Sequence, residues 1–248
     1  MNIIYILWLR QLKRYIRSRS RIVGSLGQPL LFLIALGFGF GPVFAKAGGG
    51  DYFQFLTPGI IAMSVLFTAT FMGIEVIWDR QFGFLKETMV APVSRAKIMF
   101  GRTLGGATVA TIQGVIVLGL SLLLGFRPAS LVALPIALGF MFLIALVFTA
   151  LGTAVASRMD DMHGFQLIIN FMIMPLFFLS SALFPLEGLP GPLSAIASVN
   201  PLSYGVDGMR VVLSGLPGSG PAVDAAVLCV FAAAFLLIGS RLFSMVQV

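Results

Sequence analysis

The chain predicts an all-α integral membrane protein with six transmembrane helices, and three observations lead there. Of its 248 residues, 58% are hydrophobic and only 10% are charged, where soluble domains carry about 25%. Apolar stretches of about 20 residues recur, each able to cross roughly 30 Å of hydrocarbon as a helix that satisfies its own backbone. The basic residues gather beside alternate ends of those stretches, as membrane topology requires.

The first element is an N-terminal interfacial helix over residues 1–21. On a helical wheel Ile4, Trp8, Leu12, Tyr15 and Ile16 share one face, and Arg10, Lys13, Arg14, Arg17 and Arg21 the other. That pattern suits a helix lying in the membrane interface. Its charges sit too late, and the apolar block after them is too long, for a signal peptide.

Spans follow at 22–44, 55–77, 103–125, 131–156, 164–184 and 222–240. Residues 103–156 contain one charge, Arg127; as a single helix they would run about 80 Å. They therefore cross twice and turn at Arg127-Pro128, where a charge and a proline both disfavour a buried helix. The segment 185–221 is expected outside the membrane, because it holds six of the thirteen prolines and seven glycines. Within it Asn200 suits an N-cap, Pro201 a first turn and Gly215 a C-terminal stop. Leu202, Val206, Met209 and Leu213 would form the buried stripe, with Tyr204, Asp207 and Arg210 on the remaining faces. A second short helix is expected at 193–199. The whole chain, 1–248, reads as one transmembrane domain.

Charge sets the orientation. Arg10, Lys13, Arg14, Arg17, Arg19 and Arg21 precede span one, while Arg80, Lys86, Arg95, Lys97 and Arg102 lie between spans two and three. Arg158 and Arg241 fall on the same side, leaving Lys46, Arg127 and Arg210 on the other. The positive-inside rule puts both termini and the polar segment 78–102 in the cytoplasm of a multi-pass plasma-membrane protein. The net charge of +7 is thus an orientation signal, and no nucleic-acid partner is expected. Cys229 and His163 are the sole residues of their types, so an intramolecular disulfide or a metal cluster of these residues is not available.

No soluble-type catalytic motif stands out. Lys13, Lys46, Lys86 and Lys97 follow Leu12, Ala45, Leu85 and Ala96, whereas a P-loop lysine follows glycine. Glu75 and Asp224 sit near span ends, where both should reach water, and the span middles carry no charge. That weighs against an ion relay, which needs buried ionisable groups. Pro29, Pro58, Pro135 and Pro175 can bend their helices. Thr68, Phe71, Gln166, Asn170, Phe171 and Phe178 are candidate linings of a substrate path. Two other functions stay open on the residues alone. One is an ion-coupled secondary transporter; the other is a lipid-modifying enzyme using Glu75 and Asp79, whose spacing of four fits one helix face.

Two stretches, DRQFGFLKETMVAPVSR with the following Gly101, and LFFLSSALFPLEGLPGPLSAIASVNPLSYGVDGMR, resemble the permease subunits of type-two ABC exporters. That family includes daunorubicin-type drug exporters and exporters of polysaccharides and nodulation factors. The resemblance covers nearly the whole chain. It implies a permease with no catalytic site and no cofactor of its own, ATP and magnesium being held by a separate ATP-binding subunit. It implies a second permease, either the same chain or a similar one, and an amphipathic drug-like or lipid- or glycan-linked cargo moved outward; either pairing needs only a small-residue packing face, of which Gly101 with Gly105 is an example. It also places a coupling helix at about Asp79 to Met89, with Asp79, Phe82, Gly83, Phe84, Leu85, Lys86 and Glu87 meeting the ATPase. Lys86 before Glu87 departs from the Glu-rich pattern of many relatives.

Overall fold

The computed structural model describes residues 3–46, 50–84, 93–185 and 190–244, and these are helical with short connections. In chain order the helices are α1 (Ile3–Arg17), α2 (Arg19–Lys46), α3 (Tyr52–Phe71), α4 (Ile74–Gln81) and α5 (Arg95–Leu123). They continue with α6 (Leu134–Ala156), α7 (Met162–Phe178), α8 (Gly191–Val199), α9 (Pro201–Ser214) and α10 (Pro221–Ser244); a 3₁₀ turn, Leu131–Ala133, leads into α6.

Five of these units are long and apolar enough to cross a membrane: α2, α3 with α4, α5, the turn with α6, and α10. They match five of the six expected spans. The remaining stretch, 164–184, stays helical only to Phe178, so α7 has 17 residues and reaches about 25 Å. Pro135 does not bend a span, because it occupies the first turn of α6, where its missing N–H costs nothing.

Helix α3 is the centre of the bundle, packed by α2, α5, α6 and α9. Leu56, Ile60, Ile61, Val65 and Leu66 are fully enclosed in it. Its mostly apolar surface explains why it accepts neighbours on every side. The helix breaks at Met72 and Gly73 before restarting as α4. There the backbones of Gly73 and Gly152 of α6 touch, leaving no room for a Cβ on either. Close backbone approach is the usual reason for paired small residues between membrane helices.

Helix α1 lies along α5, and the contact is made by Leu7, Gln11 and Tyr15, all buried. Gly101 and Gly105 of α5 receive it directly, against Ile4, Leu7, Trp8 and Gln11. The small-residue face expected to join two copies is therefore filled by this chain's own first helix. The expected two-faced wheel is corrected as well. Ile16 and Tyr5 remain exposed, while Arg10 and Arg14 turn inward beside the packed face.

Candidate functional site

Two clusters of polar groups are buried, one at each end of α3. At the first, α1, α4 and α5 converge below the break at Gly73. Asp79, only 3% exposed, accepts both arms of Arg10 at 2.9 and 2.6 Å and one from Arg102 at 2.5 Å. Glu75, one turn earlier, pairs with Arg21 at 3.0 Å and Arg14 at 3.5 Å. Arg102 is itself 3% exposed. Buried charges are tolerated only when paired and hydrogen-bonded; here three buried ones, Glu75, Asp79 and Arg102, are joined by the partly exposed Arg10, Arg14 and Arg21. Tyr15 adds a neutral link, its hydroxyl donating to the Gln113 side chain at 2.6 Å. Burial raises its pKa above the ordinary phenol value, with Arg21 opposing the shift.

A second tie runs from α4 to the turn before α7. Arg80 donates to the carbonyls of Met159 and Ser157 and pairs with Asp160, and Gln81 donates to the Asp160 carbonyl at 3.0 Å. Asp161 then caps α7, accepting from the His163 and Gly164 amides. Those bonds hold its carboxyl below the usual carboxylate range.

These contacts correct several expectations. Glu75 does not reach water; it is 1% exposed. Glu75 and Asp79 are not a free acid–base pair either, since arginines occupy both carboxylates. Asp79 is enclosed by α1 and α5 rather than presented to a partner. Phe82 is 80% exposed beyond the end of α4, Gly83 takes a positive φ of 78°, and the Phe84 ring lies 3.7 Å beneath the Arg10 guanidinium. Leu85, Lys86 and Glu87 lie outside the described residues.

The six candidate path residues are not brought together. Thr68 and Phe71 line a cavity of about 220 Å³ between the α1–α2 elbow and α3, with Tyr15, Arg21, Gln28 and Phe67. Gln166, Phe171 and Phe178 lie on the exposed side of α7, Phe171 at 84%, and Asn170 is partly covered beside them.

The opposite end of α3 holds a cluster that the spacing of 200–215 only partly announced. Asn200 caps α9 by accepting from the Leu202 amide at 3.0 Å, and Gly215 closes it with a φ of 66°. Leu202, Val206, Met209 and Leu213 are fully buried. Asn200 also donates to the Leu176 carbonyl at 2.6 Å, Ser203 to the Leu179 carbonyl at 3.3 Å, and Arg210 to the Ser181 carbonyl at 2.6 Å. Tyr52 of α3 donates to the Leu183 carbonyl at 2.8 Å. The last carbonyls of a helix have no partners within it; Asn200 supplies one for Leu176 of α7, and Ser203, Arg210 and Tyr52 bond the carbonyls of the turn beyond it.

Arg210 stacks 3.9 Å over the Phe55 ring and is 6% exposed. Burial pulls its pKa down to about 10 against the opposing field of Asp207, so it stays charged at neutral pH. Tyr204 donates to the Ser198 carbonyl, tying α9 to α8, and Asp207 accepts from the Ser219 amide. Asp224, expected to reach water, is fully buried. No acidic partner signals these contacts in sequence; only the Asn-Pro start and glycine stop do.

The described residues thus form a helical bundle with five candidate membrane spans and a polar cluster at each end of α3. Residues 2–214 match the model of the ABC-2 type transporter family, and the chain belongs to that family. Its relatives are transport permeases. It is 29% identical to Nodulation protein J of Rhizobium leguminosarum bv. viciae, over 90% of this chain and 86% of that one. It is 31% identical to the putative transport permease ycf38 of Porphyra purpurea, over 80% and 69%. It is 27% identical to the probable doxorubicin resistance permease DrrC of Mycobacterium tuberculosis, over 94% and 86%.

Proposed function

We propose that this chain is the membrane-spanning permease of an ATP-driven exporter, moving an amphipathic drug-like or lipid- or glycan-linked substrate outward. The family implies a partner ABC ATP-binding subunit, which supplies ATP and magnesium. Two permeases, identical or similar, complete the assembly. The cluster of arginines faces the cytoplasm of the plasma membrane with both termini, α1 lies in the interface, and α8 and α9 sit outside. Helix α7 and the clamped turn after it make the fifth of six spans. Non-helical backbone at membrane depth is tolerated where protein satisfies it, as the bonds to Leu176, Leu179, Ser181 and Leu183 do.

The observation that carries this reading is the ionic cluster directly above Phe82–Phe84. A push on that segment meets a rigid junction of α1, α4, α5 and the α6–α7 turn, not a loose loop. The coupling surface begins at Phe82 and continues toward Leu85, Lys86 and Glu87, with Gly83 allowing close approach. Asp79 positions this surface from inside and does not touch the partner. Thr68 and Phe71 are the path residues best placed to meet a substrate.

Phe82→Asp is the direct test, because a new charge would have to be desolvated in an apolar cleft. We expect normal insertion and melting but loss of co-purification with the ATPase. Phe84→Asp is a poorer probe, since Arg10 would pair with the new carboxylate. In vesicles holding both subunits, efflux should require ATP and survive an uncoupler. Collapse with the uncoupler would instead favour an ion-coupled transporter.

A further inference from the structure

We propose that the elbow between α1 and α2 is a binding site for the phosphate headgroup of an anionic membrane lipid. The chain breaks at Ser18, between Arg17 and Arg19, and the bend leaves a cleft of about 880 Å³. Arg10, Lys13, Arg14, Arg17 and Arg19 line it, with Ser18 and Ser20 at its base.

Charge in this cleft is unbalanced. Arg10 and Arg14 share Glu75 and Asp79 with Arg21 and Arg102. Lys13, Arg17 and Arg19 have no carboxylate within ion-pairing distance among the described residues. Three cations without a carboxylate therefore face one concavity, beside Arg10 and Arg14, which Asp79 and Glu75 already engage. Arginine forks hold phosphate oxygens in two-point contact, and a serine hydroxyl adds a single donor.

Two features favour a lipid over an acidic protein surface. Ile6 and Leu9 form an apolar wall of the same cleft, and Ile16 and Val23, on the two helices that meet at the elbow, are exposed. Acyl chains would cover these, whereas an acidic protein patch would leave them wet. The cleft also sits where α2 enters its apolar span, the depth of the headgroups, and basic pockets at that depth attract anionic lipids. The inference rests on the reading of this end as cytoplasmic only for which leaflet supplies the lipid. Arg10 and Arg14 reach Asp79 and Glu75 from the same helix, so a bound lipid would brace the junction above Phe82.

The test is native mass spectrometry of the purified full chain in neutral detergent. It is first exposed to vesicles of equal phosphatidylglycerol and phosphatidylcholine. We expect phosphatidylglycerol to be retained with a preference of about tenfold or more. The triple variant K13Q/R17Q/R19Q should lose that preference, R17Q alone should lose part of it, and K97Q/R241Q should keep it. Undiminished preference in the triple variant would overturn the site. Equal loss in K97Q/R241Q would replace it with diffuse attraction, and displacement by glycerol phosphate as readily as by lipid would replace it with a free-anion site. A triple variant that keeps its lipid but no longer holds the ATPase would assign the cleft to a protein partner. No ATPase or nucleotide is present in the lipid measurement, so its failure and the failure of the export reading are separate results.

Discussion

The two ends of the bundle bury arginine by different means. Around Glu75 and Asp79, four arginines converge on two carboxylates, and the groups come from α1, α2, α4 and α5. Around Arg210, the guanidinium bonds to neutral oxygens, those of Ser181 and Phe55, and stacks on a ring. Paired charges depend on one another, so removing one strands the rest. Charge-to-carbonyl bonds depend on the shape of a turn, so they fix geometry more than they balance charge. The first end ties four helices together through charge, and the second holds the turn after α7 against α3 and α9.

The largest effect separating the two should come from Asp79→Ala. It would leave Arg102 buried without its carboxylate, which costs about 3–5 kcal/mol, read as a fall in melting temperature in detergent. Replacing Asp79 and Arg102 together by leucine should recover much of that loss. If the double variant melts no higher than Asp79→Ala, the cluster is not a set of mutually dependent charges.

Arg210→Lys comes next. It keeps the charge but loses the planar fork that reaches Ser181 and Phe55 at once. An unmet buried acceptor costs about 1–3 kcal/mol, so melting should fall although the charge is unchanged. A melting temperature equal to the parent's would show that charge alone matters at this end.

Asn200→Ala should have the smallest effect, about 1–2 kcal/mol, from the lost helix cap and the unmet Leu176 carbonyl. Proteolysis between α7 and α8 should rise in step. Unchanged cleavage would mean that Ser203, Tyr52 and Arg210 hold the turn without it.

Much of the fold was legible because membrane spans announce themselves by length and polarity. The α9 helix was legible in detail, since Asn200, Pro201 and Gly215 act through their own local backbone. What was missed involved partners far away in sequence. Arg10 reads as the solvated face of an interfacial helix until α4 brings Asp79 to it, 69 residues on. Gly101 and Gly105 mark a packing face, but nothing in their spacing says whether α1 or a second chain fills it. The end of α7 at Phe178 was not visible either, because the apolar run continues past it, and the side chains that bond the carbonyls around and beyond that end, Asn200, Ser203 and Tyr52, lie far away in sequence.

Read residue by residue, the chain announces that it lies in a membrane and that a charged segment separates its second and third apolar stretches. These follow from hydrophobic length and from the cost of burying charge, which act residue by residue. Which charges are spent inside the protein and which remain available outside it depends on how the helices pack. Asp79 and Phe82 are neighbours in the chain, yet packing by α1 and α5 encloses one and leaves the other exposed. A buried charge is stable only beside its partner, and that partner is brought by the fold.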